Sequence, residues 1–267
     1  MVSPIGCSLT ALILTIGLCQ VAVPVEAERD ARTLVKFMVE AVGGTERLRA
    51  LKDVEYEYTY LQPDGKKDVS LERYIFDGEL SWAKYLTREA FVAPQLEGEL
   101  VQGFDGSESW ATLNGSLIDD PNLNKINDFM RKTNFYWFTM MFKLLDPGIN
   151  YKRLPSRAVN GVEYDVVEVF FEEGVGDAQD TYVLYVNPVT HLIDQFLFTV
   201  MDFGMSQPLL MVVKYAEVDG LKLPTARSYV ASDWEGNIRG DKWTAEISDK
   251  IRFGNDFTKV QFQRPSQ

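Results

Sequence analysis

The sequence predicts an α+β fold: a strongly curved antiparallel sheet, forming an incomplete β-barrel, with an N-terminal helix and an inserted helical lid. Three observations carry this expectation. From Val54 onward apolar and polar residues alternate with a period of two, turn dipeptides recur as far as Gly236-Asn237, and a single stretch beginning at Asp119-Asp120-Pro121 breaks that rhythm with a helix-start signal.

Residues 1–27 read as an export signal. Leu9 to Leu18 is an apolar core, and Val25-Glu26-Ala27 places small residues where a signal peptidase reads them. Cleavage after Ala27 and delivery to the periplasm or the exterior are the expectation, with an uncleaved anchor as the alternative; Leu18 argues against acylation of Cys19. Cleavage removes both cysteines, Cys7 and Cys19, so disulfides, thiolate metal sites and cysteine nucleophiles fall away together. Residues 28–267 show no fixed repeat or Pro-rich linker and are read as one domain.

The mature start is helical, because Leu34, Phe37, Met38, Ala41 and Val42 form one apolar stripe. Gly43-Gly44 stops that helix, Thr45 is expected to cap a second short helix through Leu48, and Leu51 and Val54 lead into the first strand. There Val54, Tyr56, Tyr58 and Tyr60 point to one side, with Glu55, Glu57 and Thr59 on the other. Asp64-Gly65, Asp77-Gly78, Asp105-Gly106, Asn114-Gly115, Asn160-Gly161, Asn187-Pro188 and Asp219-Gly220 mark turns. Between them Tyr164 to Phe171, Tyr182 to Val186, Leu192 to Val200 and Leu209 to Val218 read as strands of a meander, whose twist curls it into an open barrel.

The insertion has Asp120 as N-cap and Pro121 at the first helical position, and it runs as one or two helices from Asn122 to Leu145 until Asp146-Pro147-Gly148. Its second half, Phe135 to Leu145, is apolar on every side. A bilayer asks for roughly 20 apolar residues, so this run is too short to span one. Either the sheet buries all of it or part of it faces a hydrophobic ligand.

Composition narrows the function. A net charge of −12 with scattered Lys and Arg offers no basic stripe for nucleic acid. His191, the only histidine, follows Asn187-Pro188-Val189-Thr190 and reads as a turn residue; it cannot build a multi-histidine metal site, and no serine-nucleophile motif stands nearby. Glu172, Glu173, Asp177 and Asp180 crowd one loop and Asp119-Asp120 another, neither with calcium-loop spacing. Gly174-Val175-Gly176 is no dinucleotide fingerprint. Asn114-Gly115-Ser116 matches the glycosylation triplet and equally a hairpin turn. No cofactor or metal is expected.

Aromatic and methionine side chains stand out instead. The candidate ligand-lining residues are Phe135, Trp137, Phe138, Met140, Met141 and Phe142 on the insertion, with Trp82, Trp110, Phe196 and Phe198 on strands. Flexible methionines among rings suit a surface that re-packs around variable hydrophobic partners.

Two stretches carry a family resemblance. Ala41-Val42-Gly43-Gly44 through Leu48, Leu51, Lys52 and Val54 resembles the opening of outer-membrane lipoprotein-sorting-like domains. Phe142 to Gly148, Asn160 to Val167 and Asn187 to Leu192 are similar to an exported domain family near the LolA/LolB-like lipoprotein carriers. The resemblance implies a half-barrel with helices closing its mouth over an apolar cavity for acyl chains, and it transfers no catalytic residue.

The leading expectation is an exported, monomeric, non-enzymatic protein that holds a lipid, acyl chain or other hydrophobic ligand, with a lipoprotein or envelope protein as a further partner. The alternatives are an extracellular hydrolase or lyase using loop carboxylates, and a cell-envelope interaction module that docks a protein on the aromatic run.

Overall fold

The computed structural model describes residues 30–172, 174 and 179–266. The expected signal segment, both cysteines, Glu173 and Asp177 lie outside the described residues.

The chain opens with α1 (Ala31–Ala41) and α2 (Thr45–Ala50). A first meander follows: β1 (Asp53–Leu61), β2 (Lys67–Ile75), β3 (Leu80–Arg88), β4 (Leu100–Phe104), β5 (Ser109–Leu113) and the two-residue β6 (Ser116–Leu117). Then comes α3 (Pro121–Lys143). A second meander completes the chain: β7 (Ile149–Val159), β8 (Val162–Phe171), β9 (Tyr182–Val186), β10 (Ile193–Val200), β11 (Met205–Val218), β12 (Leu221–Ala231) and β13 (Thr244–Phe253).

All thirteen strands form one antiparallel sheet in the order β6-β5-β4-β3-β2-β1-β13-β12-β11-β10-β9-β8-β7. Each meander contributes a continuous half, and the β1–β13 pair joins them. The sheet is not closed, so β6 and β7 are opposite edges. The segment between them in sequence is α3, which must therefore travel from one edge to the other. Its 23 residues span about 34 Å at 1.5 Å per residue.

Curvature follows from what α3 touches. Phe138 stacks on Tyr56 of β1 and meets Tyr74 of β2 edge-on, while Trp137 packs against Phe196 and Phe198 of β10. β2 and β10 are five strands apart, about 24 Å in a flat sheet at 4.8 Å per strand. A helix about 10 Å across can reach both only if the sheet curls around it.

Local chemistry sets the element ends. Asp30 caps α1, its carboxylate accepting from Thr33 N at 2.9 Å. Leu34, Val35, Met38, Val39 and Val42 are the buried stripe of this helix, and Phe37 sits at its edge against the His191 ring. Gly43 ends α1 at φ +113°, and a Cβ there would stand 2.7 Å from Leu221 Cδ2, so a bare backbone is needed for β12 to approach. Asp120 caps α3 as expected, accepting from Asn122 N and Leu123 N, with Pro121 at the helix start. Asn114-Gly115, Asn160-Gly161 and Asp219-Gly220 all take positive φ at both residues, the geometry of tight hairpins. Thr45 differs from expectation. It lies inside α2, the cap position is Gly44, and the Thr45 hydroxyl donates to the Phe142 carbonyl at 2.6 Å, tying α2 to the end of α3.

The main core lies between the concave face, α1 and α3. The convex face is covered in two places. The C-terminal segment brings Phe257 and Phe262 onto Ile75, Leu80 and Trp82. The β12–β13 connection brings Trp234 onto the cluster of Tyr164, Val166 and Tyr185, where Arg157 donates to both the Tyr185 hydroxyl and the Trp234 carbonyl. β1 accordingly has partners on both faces: Glu55 pairs with Arg73 and Arg252, and Asp53 accepts from Asn255 N and Phe257 N.

Candidate functional site: a cleft beside a pinned helix

Although α3 covers the concave face, it is tied down along its length by buried polar side chains. Arg131 and Glu72 of β2 are both fully buried, with Nη1 donating to Oε2 at 2.7 Å and Nη2 to Oε1 at 3.1 Å. Ser70, Tyr74 and Asn134 donate to the same carboxylate at 2.7, 3.1 and 3.1 Å. Such satisfaction is what makes a buried ion pair tolerable. Further along, Arg227 of β12 donates to the Trp137 carbonyl at 2.6 Å and faces Glu246 of β13 at 2.9 Å. With Thr45 on Phe142, these contacts anchor the inserted helix over the concave face, where it forms one wall of a cavity.

A cleft of ≈ 1330 Å³ opens between this wall and the sheet. Phe129, Thr133, Tyr136 and Trp137 of α3 form one side, and Tyr182, Phe198, Leu209 and Tyr229 of β9 to β12 the other. Tyr58, Tyr60 and Glu246 lie along the β1–β13 seam. The cleft reaches Phe91 and Phe104 at one end and Asp146 and Pro147 at the other. Period-two alternation brings the tyrosines here: Tyr58 and Tyr60 are two apart on β1, and Tyr229 on β12 places its hydroxyl 2.8 Å from that of Tyr60.

Across the β10–β11 connection the helical turn Met201–Phe203 leans over the mouth. Phe203 meets Phe129 at 4.7 Å and Phe91 at 5.9 Å, and Lys125 stands 5.7 Å from its ring. The loop bearing Phe91 is held by Asp68, whose carboxylate accepts from the backbone N–H groups of Glu89, Ala90, Phe91 and Val92.

Burial dominates the titration behaviour of the site. It raises the Tyr58, Tyr136, Tyr182 and Tyr229 hydroxyls, so these residues are neutral donors and acceptors at physiological pH. It also raises the Glu246 carboxyl, with Arg227 and a hydrogen bond from Tyr58 pulling the other way. Asp180, at the start of β9, is raised by burial while accepting from Thr199 Oγ1 at 2.9 Å and Met201 N at 2.8 Å.

Of the ligand-lining candidates, Phe135, Trp137 and Phe198 line this cleft. Phe138, Met140, Met141, Phe142 and Phe196 are buried in the main core and are not among its lining residues. Trp82 and Trp110 lie on the convex face, because Arg73, Trp82, Gly103 and Trp110 are register partners on one side of the sheet. Trp110 there lies across Gly103 and donates to the Phe262 carbonyl at 2.9 Å, and Trp82 carries the Arg73 guanidinium 4.6 Å from its ring. Residue reasoning passed over Tyr182, Tyr229, Phe129, Phe203 and Glu246. The run of tyrosines at period two in β1 was the signal nearest to them.

Among the described residues the loop carboxylates do not converge as a catalytic pair. Asp120 is engaged as a helix cap, Glu172 is exposed, and of the described members of its cluster Asp180 lines the cleft. His191 sits in the β9–β10 turn at φ 57°. No group of three or more potential metal ligands is found among the described residues.

No family model and no curated protein matches the chain in sequence. Solved structures share its fold. A LolA superfamily protein from Nitrosomonas europaea aligns with a TM-score of 0.54 at 11% identity, covering 89% of this chain and 99% of that one. A structure described as an outer membrane lipoprotein-sorting protein domain, from Vibrio parahaemolyticus, aligns at 0.52 with 10% identity over 87% of this chain and 95% of that one. A DUF1329 family protein from Desulfovibrio piger gives 0.52 and 14% over 88% and 98%. The fold is thus LolA-like, as the sequence resemblance implied; at such identities the likeness is one of fold.

Proposed function

We propose that this protein binds a lipid, an acyl chain or another hydrophobic ligand in the cleft between α3 and the concave sheet, without chemical turnover. The observation that carries this reading is the cleft itself, ≈ 1330 Å³ with Trp137, Tyr182, Phe198 and Leu209 on its walls. Small-molecule sites are concave, mostly apolar and of about 300 to 1,000 Å³, with a few placed polar groups. Here Tyr60, Tyr229 and Glu246 supply those groups. Phe135, Trp137 and Phe198 are the ligand contacts retained from the sequence candidates.

The fold shared with a lipoprotein-sorting domain supports a role in envelope lipid or lipoprotein handling. Export through the signal-like residues 1–27, a single domain over residues 28–267 and action as a monomer belong to the same proposal. No helix among the described residues is long and apolar enough to cross a membrane.

Native mass spectrometry of the gently purified protein tests the reading. A bound amphiphile is expected, and solvent-stripped protein should take up the uncharged dye Nile red. Consistently empty protein that also fails to take up the dye would overturn the proposal.

A further inference from the structure

Resting on that ligand-binding reading, we infer that the cleft selects amphiphiles whose polar end is a cationic or uncharged hydrogen-bond donor, and discriminates against fatty acids and other anionic lipids. The argument is a matter of which charges on its walls are already engaged. Lys132 pairs with Asp128 at 3.0 Å, Lys143 with Glu79 and, at 2.9 Å, with Asp146, and Arg49 with Glu46 at 3.5 Å. Lys125 stands over the Phe203 ring at the mouth. Apart from Lys125, the cleft's cations are therefore paired with carboxylates.

One of its carboxylates is less well served. Asp180 has no cation paired with it among the described residues, and both of its hydrogen bonds reach Oδ1, which leaves Oδ2 for a donor from a ligand. Asp202 is close enough to raise the Asp180 carboxyl further. Glu246 is buried and already ion-paired, its Oε2 2.9 Å from Arg227 Nη2, so Asp180 is the carboxylate left open.

Apolar walls strengthen every charge interaction between them. Burial already makes negative charge at Asp180 and Glu246 unfavourable. An anionic headgroup adds to that strain, while an ammonium relieves it and a hydroxyl satisfies an open acceptor without adding charge.

The test is displacement of Nile red from the purified protein by three amphiphiles of one chain length, ending in an ammonium, a hydroxyl or a carboxylate. It is run at neutral pH below their micelle concentrations and at an ionic strength where screening acts over about 8 Å, so that the protein's overall negative charge contributes little. The amine and the alcohol should displace the dye at concentrations about tenfold lower than the carboxylate. Asp180→Asn keeps the Oδ1 acceptor, and its melting temperature verifies folding; it should narrow the amine-to-carboxylate gap to about threefold. A carboxylate that displaces as well as the amine overturns the selectivity while leaving hydrophobic binding intact. An unchanged gap in Asp180→Asn also overturns the inference, which rests on that carboxylate. Failure of all three amphiphiles contradicts the ligand-binding reading itself.

Discussion

The two flanks of α3 meet the same sheet in opposite ways. Toward β2, β3 and β4 the contact is closed and polar at its centre, with Arg131 and Glu72 fully buried and Gln102, Tyr85 and Asn134 around them. Toward β9 to β12 the contact is partial: Trp137 packs on Phe196 and Phe198 and Arg227 holds its carbonyl, and a cleft opens beside these contacts. The difference teaches how a half-barrel can keep a cavity without its helix collapsing onto the sheet. Buried polar tethers hold the helix at both flanks, Arg131 to β2 and Arg227 to β12, so that the rings beside the cleft need not fill it.

The largest effect should come from breaking the tether. Glu72→Ala leaves Arg131 as an uncompensated buried charge and is expected to cost about 3 to 5 kcal/mol, read from urea unfolding. Replacing both partners with apolar residues of similar volume should cost far less, and an equally severe loss would show that the pair does more than hold the helix.

Next is the packing on the closed flank. Phe138, enclosed by Tyr56 and Tyr74, should cost about 3 to 4 kcal/mol on truncation to alanine. On the open flank Phe203 is 41% exposed, so Phe203→Ala should change stability by less than about 1 kcal/mol. It should nonetheless speed dye release, because the ring bridges to Phe91 and Phe129 across the mouth. A large stability loss would place Phe203 with the core instead.

The smallest expected effect is a pH slope. Burial raises the Asp180 carboxyl above its ordinary 3.8, so the native state holds this proton more readily than the unfolded chain. Stability from this group is therefore greatest below the unfolded pKa, declines as pH rises through the interval up to the native value, and is level above it. Asp180→Asn should remove that slope from acid-to-neutral unfolding curves. An identical slope in the variant would assign it to another group.

Much of the fold was legible because its signals are local. Asp120-Pro121 marks the start of α3, and the Asn-Gly and Asp-Gly pairs mark hairpins, since each depends on the backbone preferences of two or three neighbouring residues. The site was less legible because it depends on register and on distant pairs. Arg131 sits 59 positions from Glu72, and nothing local shows that it is buried. Trp82 and Trp110 look like cavity residues until pairing places them beneath the C-terminal segment. β1 is covered on both faces, so its alternation distinguishes two sides without telling which one is concave. Thr45 resembles a cap because the helix start is local, whereas its actual partner, Phe142, comes from the end of α3.

The central claim is that a hydrophobic ligand lies against Trp137 on the concave side. Titrating a brominated long-chain alcohol while recording tryptophan fluorescence tests this most directly, because bromine quenches only rings it touches. The protein should be quenched saturably, and Trp137→Phe should lose that quenching, since Trp82, Trp110 and Trp234 lie on the opposite face and Trp243 does not line the cleft. Quenching that persists undiminished in Trp137→Phe, or none in either protein, would contradict the account.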